Sequence, residues 1–312
     1  MKIQSKNTKL NTFDSFMKKI FTIPGVKVKR STFLDELLVK HTDNYDKIGL
    51  AIQTTPHEAG FTKATIDMLA KKVINNSAKL STQKSVVTGI PGGLWAAVTI
   101  PADTGQFFMH TLILAQKLAY LYGYDDLWSD DVSYDEARNE LLLFLGVMFG
   151  VSGSAAAVQY LTTNLAREPI EKLLKEKVFE TTVMETLKKV GQKVGYEITE
   201  QGVTKGVSSA VPLVGGLVSG GMTFVTLKRM GERLRVTLSE GLEDIEIIQN
   251  EDKQSRPVLR KGQNSKIEQD VQIMSISDYL SQLERLVALR VSGDISDEEY
   301  HILKKKVIEE CS

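Results

Sequence analysis

Three long stretches of this chain carry almost no charge, and no other feature limits its possible folds as strongly. Val86–Tyr124 holds only Asp103 and Lys117, while Leu141–Ala166 and Gly206–Leu227 hold no charged residue at all. In the first, Ile90-Pro91-Gly92-Gly93 makes a turn-forming opening and Pro101 divides the stretch. From Pro101 onward the spacing predicts a helix. Proline suits the first helical position, where no amide donor is lost. Phe107, Leu114, Leu118 and Leu121 recur at helical steps, and apolar residues fill much of the space between them. A helix apolar nearly all round is buried on most sides, in a core or in lipid.

The second stretch is long enough to cross a bilayer. Ser152-Gly153-Ser154 interrupts it, however, and Gln159, Thr162, Thr163 and Asn164 dilute its second half. Two packed helices joined near Gly150–Ser154 is the expectation. The third repeats the grammar of the first, with Val211-Pro-Leu-Val-Gly-Gly216 and then Gly216-x-x-x-Gly220, a spacing that lets helix backbones approach closely. Read as membrane elements, the three would let a helical protein associate with a bilayer. Read as core, they are its central helices. The polar residues dispersed through each favour burial in protein.

The remaining segments read as amphipathic helix. Ser31–Lys40 opens on a capping serine, Asn44–Thr54 and Phe61–Leu80 follow, and Ser133-x-x-Glu136 is a capping box. Residues 168–198 carry Ile170, Leu173, Leu174 and Val178 on one face. Past Leu227 the helix turns basic at Lys228-Arg229, Arg233 and Arg235, and fades by Asn250. Residues 251–274 are polar and mixed in charge, as in a linker. The fold class predicted is all-α: a multi-helix bundle over 31–250, then a flexible linker and a small helical hairpin over 275–312.

The first thirty residues hold eight Lys/Arg and one acid. Within them Phe13, Phe16, Met17, Ile20 and Phe21 form one helical face, with Lys18 and Lys19 off it and Pro24-Gly25 as the stop. A basic helix with such a face suits contact with an anionic membrane surface. The competing expectation is that the face caps the bundle. No secretory apolar core is present, and the one cysteine, Cys311, fits a reducing compartment. Together these point to a cytoplasmic protein, peripheral at the inner face of the cell membrane.

Candidate chemistry is sparse. Asp103 and His110 lie two turns apart on one helix, and Asp125, Asp126, Asp130 and Asp131 follow its far end. A hydrolase-type site centred on Asp103 and His110 is the alternative reading. Against it, Asp103 suits the helix dipole in a first turn, and a core histidine needs only a hydrogen bond. The acidic loop lacks calcium-loop ordering. No phosphate-binding loop, dinucleotide fingerprint or nucleophile elbow occurs. Zero net charge, and a short basic run Lys27-Val-Lys-Arg30 without interleaved aromatics, give no footing for nucleic acid. No cofactor is expected.

In the tail, Tyr279, Leu280, Leu283, Leu286 and Val287 make a stripe ending near Gly293. Ser296-Asp-Glu-Glu299 then caps a helix lined by Tyr300, Leu303 and Val307. The order Leu283, Leu286, Leu289, Gly293, Ile295-Ser296, Glu299-Tyr300 and Lys304 resembles the SHOCT module. That resemblance implies an oligomerisation or partner-docking element with no catalytic role, contacting itself or another protein through Tyr279, Leu283, Leu286, Tyr300 and Leu303. The body resembles the EcsC family, a bacterial group. The resemblance rests on Pro101-Ala102-Asp103, the helix through Ala115 to Tyr122-Gly123-Tyr124, and Val211-Pro-Leu-Val-Gly-Gly216 followed by Lys228-Arg229 and Gly231. It implies an all-helical fold and supplies no established activity.

Overall fold

In a computed structural model, which describes residues 13–82, 102–164, 170–193, 220–254 and 276–311, every element is an α-helix. Among the described residues there are twelve helices and no strand. They are α1 (13–20), α2 (Arg30–Leu38), α3 (Tyr45–Gln53), α4 (Lys63–Thr82), α5 (Ala102–Leu121) and α6 (Tyr134–Phe149). After them come α7 (Ser154–Asn164), α8 (Ile170–Leu174), α9 (Lys177–Lys193), α10 (Gly220–Gln254), α11 (Ile276–Ser292) and α12 (Asp297–Cys311). The Pro91-Gly92-Gly93 opening, the Val211–Gly216 motif and most of the expected linker lie outside the described residues.

The long helix α10 is the spine. Its 35 residues make a rod of about 50 Å at 1.5 Å per residue, and α4, α5, α6 and α7 all pack on it. Close approach is possible because the crossings fall on glycines. A Cβ added at Gly241 would stand 2.6 Å from the Cβ of Thr162 on α7, and one at Gly231 would stand 2.9 Å from Cδ2 of Leu114 on α5. The apolar helix expected after Pro101 is α5. Phe108, Leu112, Leu114, Ala115, Leu118 and Ala119 on it are fully buried. The second charge-free stretch divides as its glycines and serines require: α6 stops at Gly150, whose φ of 68° is left-handed, and α7 starts at Ser154.

The dispersed polar residues tie these apolar helices to the connections packed against them. Gln116 is wholly buried on α5. Its amide donates to the Val26 carbonyl (2.9 Å), and its oxygen accepts from the Val28 amide (3.0 Å) and the Trp128 indole (2.6 Å). Thr162 Oγ1 lies 2.9 Å from the buried Tyr124 hydroxyl. Groups of this kind would be costly in hydrocarbon. Among the described residues no helix is long and apolar enough to cross a membrane.

Three boundaries differ from the sequence reading. Ser31 does not cap α2, which begins one residue earlier behind Lys29. The first amide, Arg30 N, is satisfied instead by Asp126 Oδ2 at 3.1 Å. The charged stretch after residue 168 is two helices, because the chain turns at Lys175-Glu176 between α8 and α9. There the amides of Lys175 and Glu176 reach back only three residues, to the carbonyls of Lys172 and Leu173. The basic helix α10 runs past Asn250 to Gln254.

Candidate docking site: the C-terminal hairpin against the helical body

The tail folds as its two punctuation marks dictate. Gly293 turns the chain at a φ of 81°. Ser296 then opens α12, accepting from the Glu299 amide at 3.2 Å while its own amide donates to the Glu299 carboxylate at 2.8 Å. The carboxylate is accordingly held below the ordinary range. The resulting hairpin of α11 and α12 lies against α7 and α10 of the body.

One side of it is an apolar stripe. Tyr279, Leu280, Leu283, Leu286 and Tyr300 are buried, and the Tyr279 ring meets the Tyr160 ring of α7 edge-on at 5.1 Å. Two acids of α10 then receive the hairpin's cations. Glu240 accepts from Arg290 Nη1 at 2.6 Å and from Gln159 of α7, with the Tyr300 hydroxyl at 3.5 Å. Arg290 also stacks over the Tyr300 ring at 4.6 Å. One turn further, Lys304 Nζ stands 3.0 Å from Asp244 Oδ2, and the two side chains are 3% and 4% exposed. Burial pushes the Asp244 carboxyl up to about 6 although the Lys304 ammonium pulls it down. At the far end Glu284 accepts from Ser152.

The magnitudes separate two roles. Each fully buried Leu or Tyr side chain contributes roughly 1.5–3 kcal/mol. A buried ion pair is often near neutral against an apolar replacement, yet deleting one partner costs about 3–5 kcal/mol. Most of the hairpin's hold on the body therefore comes from the stripe, while losing one member of the Lys304–Asp244 pair would leave an uncompensated buried charge.

Of the five tail residues expected to meet a partner, Tyr279, Leu283, Leu286 and Tyr300 are brought together here, against the chain's own body. Leu303 is not: it is 36% exposed, beside Ile302 at 59%, on the outer side of α12. The ion-pair partners on α10 are absent from the sequence reading. Their signal is Glu240 and Asp244, acids four residues apart on one helical face, opposite a hairpin with cations among its apolar positions.

The N-terminal face is placed in the interior. Phe13, Phe16, Met17, Ile20 and Phe21 are at most 5% exposed, and the Phe13 and Phe16 rings lie 5.9 and 5.4 Å from Phe108 of α5. Lys18 and Lys19 point outward. Lys18 pairs with Asp14 at 3.2 Å. A bilayer contact through those phenylalanines would need α1 to leave the core.

The Asp103/His110 pairing falls partly outside the described residues. Asp103 is in the first turn of α5, with its side chain outside the described set. His110 is half-buried. Burial, and then the Lys117 ammonium two turns along, hold its imidazole below the ordinary range. In the acidic loop, Asp126 is a structural acceptor for the Arg30 and Trp128 amides. Among the described residues no three His, Cys, Asp or Glu side chains form a group able to hold a metal ion. No family model, curated protein or solved structure matches the chain.

Proposed function

We propose that this protein is a non-enzymatic helical docking module, of the EcsC type that its body resembles, and that its SHOCT-like hairpin is the interaction element. The observation that carries the reading is the chemistry of the hairpin's seat. The hairpin meets the body through apolar side chains and also carries Arg290 and Lys304 onto two acids of α10, one pair almost fully removed from water. Such pairs specify a partner more than they stabilise a fold. The hairpin is a small unit, too short to retain its shape unaided, joined to the body through residues 255–275. Partner docking then means exchanging the surface against which Tyr279, Leu283, Leu286 and Tyr300 are covered. An anionic membrane is not carried into this reading, since the face suited to it is occupied by Phe108.

Hydrogen exchange on the full chain tests the reading, comparing wild type with Leu283→Glu. A carboxylate at a fully buried position of the stripe is expected to strip protection from residues 276–311 while α4, α5 and α10 keep theirs. If hairpin and body lose protection together, the tail is an inseparable part of one core and the docking reading falls.

A further inference from the structure

We propose that Lys193 and Arg233, brought by α9 and α10 to the end of α6, form a binding site for a phosphate-type oxyanion. Both side chains close the same helix terminus. The amides of Gly150 and Val151 turn back onto the carbonyls of Gly146 and Val147, which leaves the last carbonyls of α6 in need of donors. Arg233 Nη1 donates to that of Met148 at 3.3 Å, and Lys193 Nζ donates to that of Phe149. Two consecutive carbonyls thus hold two cations side by side. Both residues lie outside the Glu240–Asp244 contacts, so the site stands whether or not the hairpin docks a partner.

The charge there is in excess. A helix C-terminus carries about half a negative charge, which one cation more than balances, and α6 receives two. The nearby acids are committed elsewhere: Glu185 to Lys189 at 3.6 Å, and Glu232 to Arg235 at 2.7 Å. Past Glu185, α9 holds Lys188, Lys189 and Lys193 and no acid, and from Gly220 to Ser239 α10 holds only Glu232. Burial, and then the Arg233 and Lys189 charges, hold the Lys193 ammonium below its ordinary range. Among the described residues no carboxylate offsets this, and Nε and Nη2 of Arg233 and the remaining ammonium protons of Lys193 have no protein acceptor. These donors select the ligand. A carboxylate fills the guanidinium fork and leaves no oxygen for the ammonium. A phosphate group lies on the fork and keeps a further oxygen for Lys193, while its charge relieves the repulsion between the two. A phosphate ester in solution and a phospholipid headgroup present this same group.

Titration of the full-length chain with inorganic phosphate tests the site, with sodium chloride at matched ionic strength as the blank. Calorimetry is expected to show saturable binding to the wild type. Arg233→Gln and Lys193→Gln are each expected to weaken it about tenfold or more, the loss of a charge-assisted hydrogen bond. Lys188→Gln removes the same charge from α9 at a position that does not bear on Lys193, and is expected to change binding less than about twofold. Equal losses in all three variants overturn the site, because a diffuse basic surface would give them. Where either glutamine unsettles the end of α6, nitrogen-detected NMR of the wild type supplies the second measurement. Phosphate is expected to shift the Arg233 Nε and Lys193 Nζ signals and chloride to leave them in place. Signals that stay still through the phosphate titration overturn the inference. Flotation then separates the sources. Recovery with phosphatidylcholine vesicles containing phosphatidic acid, competed by phosphate and lost in Arg233→Gln, assigns the oxyanion to a lipid headgroup. Saturable phosphate binding without flotation assigns it to a phosphate ester in solution.

Discussion

Glu140 stands in the second turn of α6, buried, with Oε1 lacking any hydrogen-bond partner. Loss of water around it, and then the Asp125 charge, push its carboxyl up to about 8 from an ordinary 4.5. The folded state thus holds a proton that the unfolded chain releases near 4.5. Below that value both states are protonated and the group is neutral in its effect. As pH rises from 4.5 toward 8 folding becomes progressively less favourable, and above 8 the full cost, a few kcal/mol, is present. Glu140→Gln removes the titration while keeping the shape. Urea denaturation is expected to show the variant matching wild type at about pH 4.5 and exceeding it by a few kcal/mol at about pH 9. Parallel pH profiles would refute the assignment. In sequence Glu140 is inconspicuous, because an acid early in a helix looks like a dipole partner. Arg30 likewise reads only as the end of a basic run. Its guanidinium donates to the carbonyls of Tyr124 at 2.9 Å and Ile52 at 2.6 Å, closing the ends of α5 and α3. Neither role has a local signature, since both depend on chain distant in sequence.

Elements were far more legible than their partners. The Ser133–Glu136 capping box is made in both directions, and Asn44 accepts from the Lys47 amide at the head of α3. These are i to i+3 relations, written within one turn and independent of the rest of the molecule. The glycines of α10 show the contrast. Gly231 stands out in sequence only through family resemblance and Gly241 not at all, yet both lie where α10 meets another helix. They differ in what a methyl group would strike: the tip of Leu114 and the Cγ atoms of Ile74 at Gly231, and the Cβ of Thr162, fixed to backbone, at Gly241. Gly241→Ala is expected to cost about 1–3 kcal/mol through overpacking, and Gly231→Ala less, since the atoms struck there lie beyond the Cβ and further from the added methyl. Thermal unfolding of the two variants decides it. An equal or reversed order would mean that the α7–α10 crossing yields more easily than its geometry implies.

For the whole molecule, the question is which terminal segments belong to the body. The basic N-terminal helix and the C-terminal hairpin read alike in sequence, each a short amphipathic unit suited to an outside surface. The structure brings both into one apolar cluster: α1 meets Phe108 through Phe13 and Phe16 and is tied to α6 by Arg138–Asp14 at 2.8 Å, and the hairpin meets α7 and α10 through its stripe and two ion pairs. Phe16→Glu is accordingly expected to lower global stability by at least about 3 kcal/mol, the cost of deleting a buried phenylalanine, with one cooperative transition in denaturant. A variant of normal stability that instead lost binding to anionic vesicles would restore the membrane role of that face.

Helix content, the break near residue 150, the turn at Gly293 and the caps at Ser133 and Ser296 were determined by sequence alone, because each follows from residues within a turn or two of one another. For α5, α6 and α7 the interior could also be anticipated, as long runs without charge cannot be left in water. What covers each amphipathic face was decided only by tertiary structure. Periodicity states that a side of a helix will leave solvent; it carries no term for the surface that removes it. Phe13 to Phe21 could meet lipid or Phe108, and Tyr279 to Tyr300 a partner or the chain's own α7. The choice is made by shape and by charges such as Asp244 that are distant in sequence and meet their counterparts only once the chain has folded.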